Sequence, residues 1–172
     1  MSRTRTYIAG DWDHDYGAVE MLHYWNDNSK YGLSFSDAHD LTQARDSSLK
    51  CSIKRSLAYR LNESKTFVLI VGEHTKNLRA GSCFYCDSYN SHTYSCARGY
   101  AVDYRSYIDF ECEKAVADGL TIIVLYNSTY VDRDKCPASV RWKGIHKSMH
   151  KRENGQLKWD YSNVKAAFDE SK

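Results

Sequence analysis

Two runs, Thr66-Phe-Val-Leu-Ile-Val71 and Leu120-Thr-Ile-Ile-Val-Leu125, are apolar on successive positions and not on alternate ones. A strand with one wet face alternates, so runs of this kind predict strands covered on both sides, as in a parallel sheet between helical layers. A third strand is expected at Thr6-Tyr-Ile-Ala9 and a short fourth at Leu33-Ser-Phe35, each followed by turn-forming and acidic residues.

Helical spacing fills the intervals. Ala18, Val19, Leu22 and Trp25 share one face, and Leu49, Ile53, Leu57 and Leu61 recur every fourth residue behind a cap expected at Ser47 or Ser48. A third helix is expected over about 103–118, with Tyr104, Ile108, Cys112, Ala115 and Val116 inward and Gly119 as its stop. The tail, roughly 137–172, ends on an amphipathic segment through Val164, Ala167 and Phe168 and predicts a last helix. Alternating strands and helices point to an α/β fold: an open, mostly parallel sheet with helices on both faces.

At 172 residues the chain fits one domain with a real core. Only 73–101 breaks the rhythm, a stretch of Gly, Ser, Asn, Tyr and Cys read as an irregular insertion. The charge of +2 comes from 24 basic and 22 acidic residues spread along the chain, which disfavours a nucleic-acid footprint. The N-terminal segment lacks the apolar run of a signal peptide or membrane span, so a cytoplasmic protein with reduced thiols and no membrane partner is expected.

In open parallel sheets ligands bind beyond the carboxyl ends of the strands, where strand order reverses. The residues that follow the strands here are Gly10-Asp-Trp-Asp-His-Asp15, Ser36-Asp-Ala-His-Asp40, Gly72-Glu-His and Asn127-Ser-Thr, so polar and acidic groups converge on one edge. Taken singly, such residues are ordinary turn and cap formers. No G-x-x-x-x-G-K-[ST], no G-x-G-x-x-G after a strand and no G-x-S-x-G occurs, which withdraws support from P-loop, Rossmann and hydrolase-elbow chemistry.

With these residues in place, the chain resembles a known family. Tyr7-Ile-Ala-Gly-Asp-Trp-Asp-His-Asp15 is similar to the first strand and loop of TIR-like proteins of the ThsB kind, related to the Thoeris anti-phage NADases. Asp37-Ala-His-Asp40 through Ser48, Ile53, Lys54 and Leu57 is similar to their second strand's exit, flexible loop and second helix. Tyr107-Ile-Asp-Phe-Glu111 resembles their W-x-x-x-E segment, with Tyr107 where Trp often stands.

The resemblance implies a flavodoxin-like fold, NAD as substrate with no cofactor required, and Glu111 as the catalytic carboxylate. It places Gly10, Asp11, Trp12, Asp37 and Tyr107 around the substrate, Trp12 stacking on a ring and Asp11 or Asp37 accepting ribose hydroxyls. It further implies an ADP-ribose-derived messenger read by a separate effector, and activation by self-association that orders the loop at about 36–47. Two other readings share the sheet: a non-catalytic TIR-type adaptor or sensor, and a nucleoside deoxyribosyltransferase-like enzyme.

Independently of the family, a helix through this segment sets Glu111 about 40° from Ala115 and about 60° from Ile108, at the edge of the apolar stripe, where a carboxylate can face a cleft. One carboxylate suits the chemistry. Cleaving the nicotinamide–ribose bond passes through an oxocarbenium-like centre that an anion stabilises, and the ring, already cationic, needs no general acid to leave.

A second constellation, Cys83-x2-Cys86-x5-His92-x3-Cys96, offers four soft ligands that would suit tetrahedral zinc and would tie down a loop poor in aliphatic residues. Free thiols in a tyrosine-rich, partner-facing loop read equally well.

Overall fold

The computed structural model describes residues 3–38 and 49–172. In chain order the elements are β1 (Arg5–Ala9), α1 (Tyr16–Asp27), α2 (Lys50–Asn62), β2 (Ser64–Val71), β3 (Tyr89–Asn90), β4 (Ser95–Cys96), α3 (Tyr107–Ala117), β5 (Thr121–Tyr126), β6 (Ile145–Ser148), β7 (His150–Glu153), β8 (Gln156–Trp159) and α4 (Tyr161–Glu170). Strands β1, β2, β5 and β6 form the central sheet in that order, all pairs parallel.

Alternate residues of the same strands build two cores. Tyr7, Phe67, Leu69 and Val124 pack under α2 and α3, while Ile8, Val68, Ile70 and Leu125 pack under α1 and α4. That is why the two runs are apolar at every position: each large aliphatic buried this way contributes roughly 1.5–3 kcal/mol, and neither face is wet. The fold is the expected α/β, flavodoxin-like and TIR-like arrangement.

Three expectations need correction. Leu33-Ser-Phe35 forms no strand; the segment lies along β1 through one parallel bridge, Thr6 to Asp37, and the Thr6 N–H donates to Ser36 O at 2.8 Å. The Phe35 N–H is spent on Asn26 Oδ1 at 2.7 Å, so it is not available to a ladder. The third helix starts at Tyr107 and not near 103, because Ser106 caps it: the Asp109 N–H donates to Ser106 Oγ at 3.1 Å, and Ser106 Oγ–H donates to Asp109 Oδ2 at 2.8 Å. Tyr104 therefore stays outside the helix and partly exposed.

The tail also holds more than a helix. β6 closes the sheet edge, and β7 and β8 form a hairpin across Asn154-Gly155, both at positive φ, 51° and 76°. The cap expected at Ser47 or Ser48 lies outside the described residues, and the cap position of α2 falls on Leu49. Among the described residues no helix is long and apolar enough to cross a membrane.

The insertion contains short turns and a two-residue β3–β4 ladder. It docks onto the start of α3. The Tyr107 N–H donates to Ala80 O at 2.8 Å, and Gly81, at φ +98°, sits so close under the Tyr107 ring that an added Cβ would lie 2.5 Å from it.

Candidate active site

The extended segment 33–37 lies on one side of β1 and β2 lies on the other, so the chain reverses direction across the sheet after β1. At such a switch point the loops leaving β1 and β2 part and leave a crevice. A cavity of about 350 Å³ occupies it. The loop after β1 supplies Gly10, Asp11, Trp12 and Asp13; α2 supplies Ile53, Leu57 and Arg60; the insertion supplies Leu78 and Ala80; α3 supplies Tyr107, Ile108 and Glu111.

Glu111 is 6 % exposed and lines the cavity. Burial pushes its carboxyl up to about 7, while a hydrogen bond from Tyr7 and the nearby Arg60 guanidinium draw it back down. The Tyr7 hydroxyl donates to Glu111 Oε1 from the middle of β1. Burial, and then the charge of Glu111, hold that phenol well above its ordinary range, so it stays protonated and able to donate.

Four of the five expected substrate-binding residues, Gly10, Asp11, Trp12 and Tyr107, are on the cavity wall with Glu111. Trp12 is 43 % exposed and tilts against Tyr16. Both Asp11 oxygens have local partners: Oδ1 accepts the Asp13 N–H at 3.1 Å and Oδ2 pairs with His14 Nδ1 at 2.6 Å. That shapes the loop. Burial raises the Tyr107 hydroxyl to about 12, helped by the nearby thiols of Cys86 and Cys51.

Asp37 is not brought to the cavity. Its carboxylate pairs with His23 of α1 at 3.1 Å and its carbonyl accepts from Arg5 at 3.0 Å, because the bridge to Thr6 sets it level with the start of β1. Of the loop at about 36–47, residues 39–47 lie outside the described residues.

Cys83, Cys86, His92 and Cys96 are not gathered into a ligand set either. Among the described residues no three His, Cys, Asp or Glu side chains form a metal-holding group. Hydrogen bonds and rings shape the insertion instead. Cys83 Sγ accepts the Asp103 N–H at 3.3 Å, and Phe84 stacks on Tyr104 at 4.2 Å with Tyr89 set edge-on to both.

Two residues of the site, Tyr7 and Arg60, were not among the expected ones. Both left a signal: a tyrosine inside a fully buried strand requires a hydroxyl partner, and Arg60 shares the helical row of Ile53 and Leu57. A third buried carboxylate, Asp15, lies under Gly72, where an added Cβ would meet it at 2.2 Å, and accepts from Asn127 at 2.8 Å.

Residues 7–80 match a family described as Thoeris protein ThsB, TIR-like domain. No curated protein matches the chain. The matched span runs from β1 to the cavity wall at Ala80 and ends before Glu111. The match covers less than half of the chain, and over that span, with the parallel sheet that it begins, the chain is similar to a TIR-like domain of the Thoeris ThsB kind.

Proposed function

We propose that this protein cleaves NAD at the bond between nicotinamide and ribose, releasing nicotinamide and an ADP-ribose-derived product that signals to a separate effector in anti-phage defence. The observation that carries the reading is the buried Glu111 carboxylate on the wall of a switch-point cavity. A partner-binding adaptor has no use for it there.

The C1′–N1 bond breaks with its electron pair going to the ring nitrogen, so the cationic ring leaves as neutral nicotinamide and positive charge develops at the ribose. Glu111, ionised, stabilises that charge in a water-poor site. Capture by water gives ADP-ribose and a proton; capture by a hydroxyl or ring nitrogen of the same molecule gives a cyclic isomer. Cavities of ~300–1,000 Å³ hold ligands of drug size, and the 350 Å³ here suits the nicotinamide riboside half, the remainder passing along the rim by Trp12.

With its carboxyl near 7, Glu111 is only partly ionised at neutral pH, so turnover rises with pH through this range. A bound cationic ring favours the ionised form. Purified protein is incubated with NAD over a wide range of protein concentration and the products are identified by mass. Nicotinamide release that grows faster than protein concentration supports both the reaction and activation by self-association. No release at any concentration removes the reading.

A further inference from the structure

We propose that Tyr7 is a positioning residue: by occupying Oε1 of Glu111 it leaves Oε2 as the oxygen that meets the ribose of the substrate. This rests on the reading of Glu111 above and specifies how the site is built. Glu111 lines the cavity, whereas Tyr7 is not on its wall and is fully buried behind it in β1. Its ring is fixed by Phe67, its register partner on β2, whose ring lies 5.9 Å away at an interplanar angle of 21°. The Tyr7 hydroxyl is the hydrogen-bond donor to Glu111 among the described residues, and it goes to Oε1.

A carboxylate with one oxygen tied to a rigid strand cannot rotate freely about its last torsion, so its geometry toward the cavity is set before substrate arrives. The bond also favours the charged form of the acid. Among the described residues, the titratable and charged groups around Glu111 are Tyr7 from β1, Arg60 from α2, Asp11 and Asp13 from the loop after β1, and Tyr107 and Cys112 from its own helix. Of these, Tyr7 and Arg60 lower its affinity for a proton.

Tyr7→Phe keeps the ring against Phe67 and deletes only the hydroxyl. The acid limb of the turnover profile should move up by about one pH unit, and kcat at neutral pH should fall about tenfold with KM within about threefold. 3-Fluorotyrosine at position 7, a stronger donor, should move the limb the other way. A purely structural role predicts no such opposition.

The closing experiment follows the protonated-carboxyl infrared band of Glu111, identified by difference against Glu111→Gln, across pH in wild type and Tyr7→Phe, with NAD turnover measured beside it. A higher midpoint in Tyr7→Phe together with the kcat loss is the expected result. An unchanged midpoint in folded Tyr7→Phe, or a KM effect without a kcat effect, overturns the proposal. A shifted midpoint with no NAD cleavage by wild type keeps the Tyr7–Glu111 coupling and removes the NAD reading, together with the ribose-facing role.

Discussion

Helices α1 and α4 bury only apolar side chains, Ala18, Val19, Leu22 and Trp25 on one and Val164, Ala167 and Phe168 on the other. Helices α2 and α3, packed on the opposite face of the same strands, bury Lys54, Arg60 and Glu111 among theirs. The strands serve both faces with alternate residues, so the contrast lies in the helices. One face holds the sheet by burial alone. The other carries buried charge as well.

Lys54 anchors the end of the insertion. Its ammonium donates to the carbonyls of Asp103 at 3.4 Å and Arg105 at 2.7 Å, and pairs with the Asp103 carboxylate at 3.3 Å. Burial alone would raise the Asp103 carboxyl, but the Arg105 hydrogen bonds and Lys54 outweigh it and hold it down at about 2. Glu111 is the second buried charge, a carboxylate on the cavity wall that the proposed function assigns to meeting a developing cation.

On the apolar face, Leu22→Ala should destabilise by about 2–5 kcal/mol in denaturant unfolding, since Leu22 is fully buried and its loss leaves a cavity. A loss below ~1 kcal/mol would mean that this face is not the anchor. On the charged face, Lys54→Met should lose roughly 2–3 kcal/mol by leaving two carbonyls unpaired. Limited proteolysis should then cut first within 79–105, and uniform resistance would contradict the anchoring role.

Glu111→Gln should instead stabilise the protein, on the order of 2 kcal/mol at pH 8. The sign follows from the raised carboxyl. Folding favours its protonated form, so that contribution is full below the ordinary value of 4.5 and is lost as pH rises through about 7. Melting temperatures of variant and wild type should converge near pH 4 and separate above 7, and equal melting temperatures at pH 8 would refute the burial argument. The smallest effect is expected at Cys96→Ser, under ~0.5 kcal/mol, because Cys96 stands in a two-residue ladder with no assembled ligands. Stoichiometric zinc in purified protein, with the insertion opening on chelation, would reverse this and restore a metal to Cys83, Cys86, His92 and Cys96.

The unbroken apolar runs announced the doubly covered sheet, and the four-residue spacing of Leu57 and Leu61 announced α2, because burial writes itself directly into residue type. The capping pair Ser106 and Asp109 and the turn Asn154-Gly155 are equally legible signals, but helical periodicity alone passes over both, and so it extends α3 back to about 103 and leaves the β7–β8 hairpin unmarked. Asp37 could not be placed from its neighbours, since its position depends on one bridge to Thr6. The cysteine spacing suggested zinc, but spacing along a chain does not fix convergence when Phe84, Tyr89 and Tyr104 shape the loop. Glu111 was legible as the edge of an apolar stripe; its tie to Tyr7 joins residues 104 positions apart and needed the fold.

Nicotinamide release by folded Glu111→Gln, set against wild type at matched high protein concentration and pH 8, tests the central claim most directly. Glutamine keeps the shape and can still accept from Tyr7, so only the charge is removed. Turnover should fall ~100-fold or more while the circular dichroism spectrum is unchanged. A variant that releases nicotinamide at the wild-type rate would show that the chemistry does not rest on Glu111.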